Sequence, residues 1–95
     1  MLTKSCQNGK DVCVITFYVE KPEAKQVELV GEWNDWKPEA MKRKKDGTFW
    51  ITKWLKKGRA YRFKYLIDGQ FWENDMSADQ QVPNPFGTTD SLIQL

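Results

Sequence analysis

Tryptophan is the residue type in this chain that most clearly offers chemistry for recognition. Five of the 95 residues are Trp, and so small a domain cannot pack all five indoles in its core. An exposed indole is a flat platform on which a nucleobase can stack, and the apolar C–H face of a pyranose can lie against it in the same way. A pyranose that buries roughly 50–80 Å² on one indole gains about 1–2 kcal/mol. Two such platforms therefore predict weak binding, in about the millimolar to micromolar range.

The other reactive side chains do not point to catalysis. The chain has no His, which removes the usual general base and the usual transition-metal ligand. Its thirteen Asp and Glu residues could supply a glycosidase pair, but no spacing selects two of them. Metal-binding Cys/His clusters, Gly-rich phosphate loops and a Ser nucleophile elbow are all missing from the sequence. We therefore expect a binding protein that is not an enzyme and has no catalytic residue, metal site or cofactor.

Charge is distributed unevenly along the chain, although the net charge is only +2. The segment from Lys37 to Lys64 contains eleven of the fifteen basic residues and only two acidic ones. Such a skew can mark a polyanion site, so a single-stranded nucleic-acid binder that uses residues 42–64 is one hypothesis. Lysines also block edge-to-edge pairing of strands, and this structural interpretation is the one we favour. We regard a nucleic-acid partner as the weaker expectation.

Short strands separated by turn signals account for most of the chain. The runs with β-branched and aromatic composition are residues 12–19, 26–31, 49–55 and 61–67. Hairpin turns are indicated at Asp46-Gly47, where 41–45 would be the first strand, and at Asp68-Gly69, where 70–73 would be the second. Residues 32–40 are expected to be rich in turns, residues 74–89 to form a long polar loop, and residues 91–95 to form a final strand.

This pattern defines the expected fold class. Alternation in residues 61–67 places Tyr61, Phe63, Tyr65 and Ile67 on one face, facing a core between two sheets. No segment has helical periodicity. The chain is therefore predicted to be all-β, an antiparallel sandwich or small barrel, with a single domain over residues 10–95. Residues 1–9 are expected to be a loosely ordered extension.

The cysteines and apolar runs bear on cellular location. A bridge between Cys6 and Cys13 would close only a short loop and add little stability, so reduced thiols are expected, with Cys13 packed as a small apolar residue. Neither a signal peptide nor a transmembrane-length segment is visible. The expectation is a cytoplasmic protein that does not contact a membrane.

Four pieces of the sequence resemble one family, in the same order along nearly the whole chain. They are Val27-Glu28-Leu29-Val30-Gly31-Glu32-Trp33-Asn34-Asp35-Trp36, Tyr61 to Gly69, Trp72-Glu73-Asn74-Asp75, and Val82-Pro83-Asn84-Pro85-Phe86-Gly87-Thr88. The family is that of the isoamylase N-terminal early-set domains, the family-48 carbohydrate-binding modules. It includes the N-terminal domains of glycogen branching enzymes and the glycogen-binding domain of the AMP-activated protein kinase beta subunit. The resemblance implies an immunoglobulin-like β-sandwich that binds an α-glucan such as glycogen, starch or a maltooligosaccharide.

The resemblance also implies the residues of the site. Two indoles that stack on glucose units fall on Trp36 and Trp72, and a lysine that supports them falls on Lys64. The remaining implied contacts are Asn84, Phe86, Thr88 and Asp90. Asp90 stands where the family has Asn, and Asp75-Met76 stands where relatives usually have Asp-Pro.

Strand register decides whether Trp72 or Phe71 faces the ligand. A two-residue turn at Asp68-Gly69 pairs Leu66 with Phe71 and turns Trp72 inward. One additional loop residue pairs Leu66 with Trp72, which then shares the face of Lys64. We favour Trp72, because it keeps the Trp-x-x-Asp spacing of the family.

We expect the other three indoles to lie in different environments. Trp33 replaces a family Phe and should pack under its loop. Trp50 and Trp54 should lie on the strand face opposite Phe49, half-covered by lysine stems and by Arg62, or they form with Arg62 a second exposed patch. Lys53 then falls on the core side, where its stem could reach solvent at a sheet edge.

Three functions from different classes remain at this point: an α-glucan-binding module, a structural module that docks onto a glycoside hydrolase or another protein, and a single-stranded nucleic-acid binder.

Overall fold

The computed structural model describes the whole chain, Met1–Leu95. It consists of ten strands: β1 (Leu2–Cys6), β2 (Val12–Glu20), β3 (Val27–Gly31), β4 (Glu39–Ala40), β5 (Lys42–Arg43), β6 (Thr48–Lys56), β7 (Ala60–Ile67), β8 (Phe71–Glu73), β9 (Gln80–Pro83) and β10 (Thr89–Gln94). A single 3₁₀ turn (Glu32–Asn34) follows β3. None of the chain's helical structure is long and apolar enough to cross a membrane.

All pairing in the two sheets is antiparallel. The four-stranded sheet has the order β1-β2-β6-β5, and the six-stranded sheet has the order β4-β3-β7-β10-β9 with β8 attached to β7. The sheets pack face to face as an immunoglobulin-like sandwich, which confirms the predicted fold class. Tyr61, Phe63, Tyr65 and Ile67 are all buried in the core, as the alternation in β7 predicted.

The short strands β4 and β5 join the two sheets. Glu39–Ala40 pairs with β3 in one sheet, and Lys42–Arg43 pairs with β6 in the other. Met41, at the crossing point, is 7% exposed. Two-residue strands are too short to give a period-2 pattern, which explains why sequence reasoning placed Glu39 and Ala40 in a turn-rich stretch.

Two further segments differ from the sequence-based expectation. Leu2–Cys6 pairs over its whole length with β2 rather than forming a loosely ordered extension. Residues 80–83 form β9 on the edge of the six-stranded sheet, within what was predicted to be a continuous loop. Both are edge strands without a buried residue, so neither has the apolar alternation by which strands are recognised.

The prediction of reduced thiols is wrong for this structure. Cys6 and Cys13 face each other across β1 and β2 and are joined by a disulfide. The expectation failed because it depended on loop length alone, whereas the strand pairing brings the two Cα atoms within 4.4 Å. Cys13 is fully buried, as predicted.

Lys53 lies on the core side of β6, where β5 has ended and left this edge of the strand open. Its Nζ lies 2.6 Å from Oε2 of Glu39, on a strand of the opposite sheet. The lysine therefore ends in an ion pair between the sheets, and an inward-pointing charge at an open edge also disfavours pairing with another chain.

Candidate ligand-binding site

An open depression on the outer face of the six-stranded sheet collects the predicted site residues. Its volume is about 1490 Å³, larger than the roughly 300–1,000 Å³ of pockets for drug-sized ligands. All seven residues implied by the resemblance line it: Trp36, Lys64, Trp72, Asn84, Phe86, Thr88 and Asp90. We call it the Trp36–Trp72 depression.

Trp36 is turned outward by a tight loop that is anchored on Trp33. The backbone N–H of Trp36 donates to the carbonyl of Gly31 at 2.9 Å, and Asp35 and Trp36 both have left-handed backbone angles, with φ of 60° and 63°. The Trp33 ring packs inward, 5.5 Å from the Phe17 ring between centroids. The prediction for Trp33 is therefore confirmed, and the inward indole holds the loop that leaves Trp36 38% exposed.

Trp72 reaches the same depression from the other edge of β7. Leu66 pairs with Trp72, as the favoured register requires. The three residues Asp68–Gln70 connect β7 to β8, and this loop length places Trp72 directly opposite Leu66. Trp72 therefore lies on the same face of the sheet as Leu66 and Lys64. The ring is 54% exposed. The two indoles are thus presented from the loop after β3 and from β8, and these two strands pair with opposite edges of β7.

Lys64 occupies the point at which one edge of β7 changes its pairing partner. β10 pairs with β7 up to Phe63, and β8 begins to pair at Tyr65. The Lys64 side chain is 14% exposed, and its Nζ lies 3.7 Å from Oδ1 of Asp90. Nζ also donates to the Thr88 hydroxyl at 3.5 Å, which leaves donor capacity on the ammonium for a ligand oxygen.

The loop that carries Phe86 is organised by Asn84. The Asn84 side-chain oxygen accepts the backbone N–H groups of Phe86 (3.0 Å) and Thr88 (3.2 Å). Its amide donates to the Thr88 hydroxyl at 2.7 Å and to Asp90 at 3.0 Å. Since these bonds use both the oxygen and the amide hydrogens, Asn84 positions the loop rather than offering free groups to a ligand. Phe86, at the tip, is 89% exposed.

Asp90 forms part of the floor of the depression. It is 7% exposed, and besides Asn84 and Lys64 it is paired with Arg62, at 3.4 Å from Nη1. The carboxylate therefore binds neighbouring side chains of the protein. Together with Glu32, whose Oε1 accepts the backbone N–H of Arg62 at 2.6 Å, it balances the charges of Arg62 and Lys64 within the depression.

A buried polar network supports the depression from below. Asn74, which lines it, accepts a hydrogen bond from Ser91 at 3.1 Å, and Ser91 in turn accepts the backbone N–H of Asp75 at 2.7 Å. Asp75 accepts the Tyr65 hydroxyl at 2.6 Å. Burial disfavours the charged carboxylate, but hydrogen bonds from Tyr65, Ser77 and the terminal ammonium outweigh it and lower the pKa of Asp75. Burial and the carboxylate together raise the pKa of Tyr65.

The predicted secondary patch is divided by the structure. Trp50 and Trp54 do share the outer face of β6, and Trp50 is covered by the Lys42 ammonium at 5.1 Å from its ring centroid. Arg62 instead lies on the six-stranded sheet and lines the Trp36–Trp72 depression. It was grouped with Trp50 and Trp54 by charge and composition. Its position two residues before Lys64 on the same strand was the signal that would have placed it correctly.

The basic segment does not form one continuous patch. Lys44 and Lys45 lie at the hairpin before β6, and Lys56, Lys57 and Arg59 lie at or beyond its other end. A nine-residue strand separates these groups by about 30 Å. The described residues contain no group of Asp, Glu or Cys side chains arranged to hold a metal ion.

Among the residues of the depression that sequence reasoning did not name are Glu32 and Asn74. Glu32 follows Gly31 inside the loop motif, and Asn74 lies two residues after Trp72. The signal for both was their place inside segments that already carried a predicted platform.

Comparison with solved structures supports the fold. The enterobactin esterase of Shigella flexneri, in a crystal structure obtained with 2,3-dihydroxy-N-benzoyl-serine, superposes with a TM-score of 0.78 at 12% sequence identity. The alignment covers 99% of this chain and 32% of the esterase chain, so this chain spans about a third of that protein. At this identity the likeness concerns the fold alone.

Sequence comparison identifies the family. No curated protein sequence matches the chain significantly. The family model for the glycogen recognition site of AMP-activated protein kinase matches residues 7–94. That range includes both indoles of the depression and every strand except β1. The chain therefore belongs to this family of carbohydrate-binding modules.

Proposed function

We propose that the protein is a non-catalytic α-glucan-binding module in which Trp36 and Trp72 are the platforms for glucose rings. The observation that carries the proposal is that these two exposed indoles, which reach the surface from opposite edges of β7, line one depression. Glycogen, starch chains and maltooligosaccharides present the alternating apolar faces and hydroxyl rims that such a surface accommodates.

The polar groups fit a ligand with many hydroxyls and no charge. The Lys64 ammonium and the Thr88 hydroxyl, 3.5 Å apart, can bond sugar hydroxyls between the two platforms. Phe86, at the tip of its loop, adds an apolar wall on the far side. The two basic and two acidic groups in the depression balance one another, so affinity is expected to depend little on salt.

Titration of the intrinsic tryptophan fluorescence with maltoheptaose tests the proposal. Trp36→Ala and Trp72→Ala should each weaken binding by roughly 5- to 20-fold, which is the loss of affinity expected when one indole–pyranose contact is removed. Phe71→Ala removes a ring that is 63% exposed on the neighbouring residue and outside the depression, and it should leave affinity unchanged. If maltoheptaose, glycogen and soluble starch all fail to bind the wild type, the proposal is wrong.

Docking onto a larger protein is the second candidate function. It is favoured by the esterase, where the same fold forms part of a longer enzyme chain. A module that docks onto a glycoside hydrolase would use the exposed aromatics as an interface. Trp36→Ala would then weaken association with the partner protein, and neither the wild type nor the variant would bind a maltooligosaccharide.

A nucleic-acid ligand is distinguished by its response to salt. Binding of an oligonucleotide through residues 42–64 would weaken steeply between low and physiological salt, whereas glucan binding should not. The separation of the basic residues into two groups at opposite ends of β6 argues against this third function.

A further inference from the structure

A second, smaller crevice shares one lining residue, Glu32, with the Trp36–Trp72 depression. This crevice has a volume of about 420 Å³ and lies beside the open edge of β6. Its walls are formed by residues at the ends of β6 and β7 and by the 3₁₀ turn: Glu32, Trp33, Trp54, Lys56, Arg59 and Tyr61. We call it the Trp54 crevice.

Trp54 is the most exposed indole in the protein, with 69% of its surface accessible. It has no role in the core, because its strand neighbour Leu55 points inward in its place. Unlike Trp50, whose ring is covered by Lys42, Trp54 has no cation over its ring. An uncovered ring beside a crevice is a platform of the same kind as those in the depression.

The crevice also offers hydrogen-bonding groups that the protein does not use. Lys56 and Arg59 are exposed and take part in no ion pair of the structure; the Arg59 guanidinium only lies over the Tyr61 ring, at 5.4 Å from its centroid. Glu32 uses one carboxylate oxygen for the backbone of Arg62, which leaves the other free. These donors and this acceptor suit the vicinal hydroxyls of a sugar.

We infer that the Trp54 crevice is an additional subsite for a glucan chain that leaves the Trp36–Trp72 depression past Glu32 and crosses the edge of the sandwich towards the outer face of the four-stranded sheet. This inference rests on the proposed function. It makes the module selective for chain length and shape: a short or closed oligosaccharide occupies the depression alone, and a long linear chain also stacks on Trp54.

Two ligands of equal glucose content separate the subsites. Linear maltoheptaose can extend from the depression, whereas β-cyclodextrin, a closed ring of seven glucose units, cannot. Trp54→Ala should weaken the binding of maltoheptaose and longer linear maltodextrins by roughly 5- to 10-fold and leave the affinity for β-cyclodextrin unchanged. Phe71→Ala, which removes an exposed ring outside both cavities, should change neither.

The other possible results of these titrations would each contradict the subsite, the proposed function or both. If Trp54→Ala has no effect on any ligand, or weakens the linear and cyclic ligands equally, the subsite is wrong while the proposed function stands. If Trp54→Ala instead releases a co-purifying protein and leaves glucan binding intact, the crevice belongs to a protein interface. Failure of the wild type to bind either sugar would overturn the proposed function and the subsite together.

Discussion

Trp72 lies directly opposite Leu66 across β7 and β8, and this pairing places the indole on the outer face of the sheet. The neighbouring residue Phe71, opposite Ile67, has the other orientation. Since a shift of one residue would exchange the two rings, the position of one platform depends on the length of the loop Asp68–Gln70.

The register predicts that an indole at position 71 cannot replace the one at position 72. Trp72→Ala and the double variant Phe71→Trp/Trp72→Ala should bind maltoheptaose equally weakly, although the double variant retains five tryptophans. Isothermal titration calorimetry at one temperature measures both. Recovery of affinity in the double variant would contradict the assigned faces.

Asn84→Ala should weaken glucan binding more than it weakens the fold. The substitution removes the bonds that shape the loop around Phe86 and Thr88, and it leaves Asp90 without one donor. We expect a loss of affinity of about 3- to 10-fold. Thermal unfolding monitored in parallel should show a shift of only a few degrees. A large fall in melting temperature would make Asn84 chiefly a stability residue.

Gly31→Ala should destabilise the protein through the Trp33 ring. A Cβ on Gly31 would overlap that indole, which is packed against Phe17 and Phe63 and cannot move freely. Overpacking of this kind costs about 1–3 kcal/mol. Urea unfolding should show the loss, and the double variant Gly31→Ala/Trp33→Leu should lose less than the sum of the two single changes. Additive losses would show that the contact with Trp33 is not the cause.

Asp75 should make stability fall in acid. Because its pKa is lower in the folded protein than in the unfolded chain, the stabilisation from its ionised form is present at neutral pH. It is lost as the pH falls below the ordinary Asp value and through the folded value. Asp75→Asn should be less stable than wild type at pH 7, by about 1–3 kcal/mol, and the difference should narrow below about pH 4. A constant difference across this range would be evidence against the linkage.

Reduction of the Cys6–Cys13 disulfide should weaken β1 without unfolding the sandwich. The sequence separation is only seven residues, for which loop-closure entropy gives at most about 2–3 kcal/mol. The pairing of β1 with β2 and the ion pair of Lys4 with Asp79 do not need the bond. Hydrogen exchange with and without dithiothreitol should accelerate at the amides of Leu2–Cys6 while those of β7 stay protected. Global unfolding on reduction would contradict this.

Seven residues of the depression were accessible to sequence reasoning because the resemblance to one family implied them on motifs that lie within continuous segments. The segments around Trp36, Lys64 and Trp72 keep the residue spacing of the family's motifs. The alternation of apolar and polar residues in β7 defined which side chains face the core. What the sequence did not reveal depends on contacts between distant segments. The disulfide requires β1 to pair with β2, and β9 has Gln at two of its four positions, so pairing rather than composition makes it a strand.

The assignment of Arg62 was also limited by what the sequence reveals about contacts between distant strands. Composition grouped it with the indoles of β6, but strand parity puts it beside Lys64, and only the fold shows that β6 and β7 present these side chains on opposite outer faces of the sandwich. Lys53 likewise had a predictable orientation, whereas its partner Glu39 belongs to a strand too short to be recognised.

The chain between Glu39 and Arg43 bonds first to one sheet and then to the other, with Met41 buried between them. This short bridge closes the loop that begins at Gly31, so both ends of the segment bearing Trp36 are fastened to the sandwich. A surface fixed in advance loses little conformational entropy when a ligand arrives. For the proposed glucan ligand, little of the binding free energy would therefore be lost to ordering of the loop that carries Trp36.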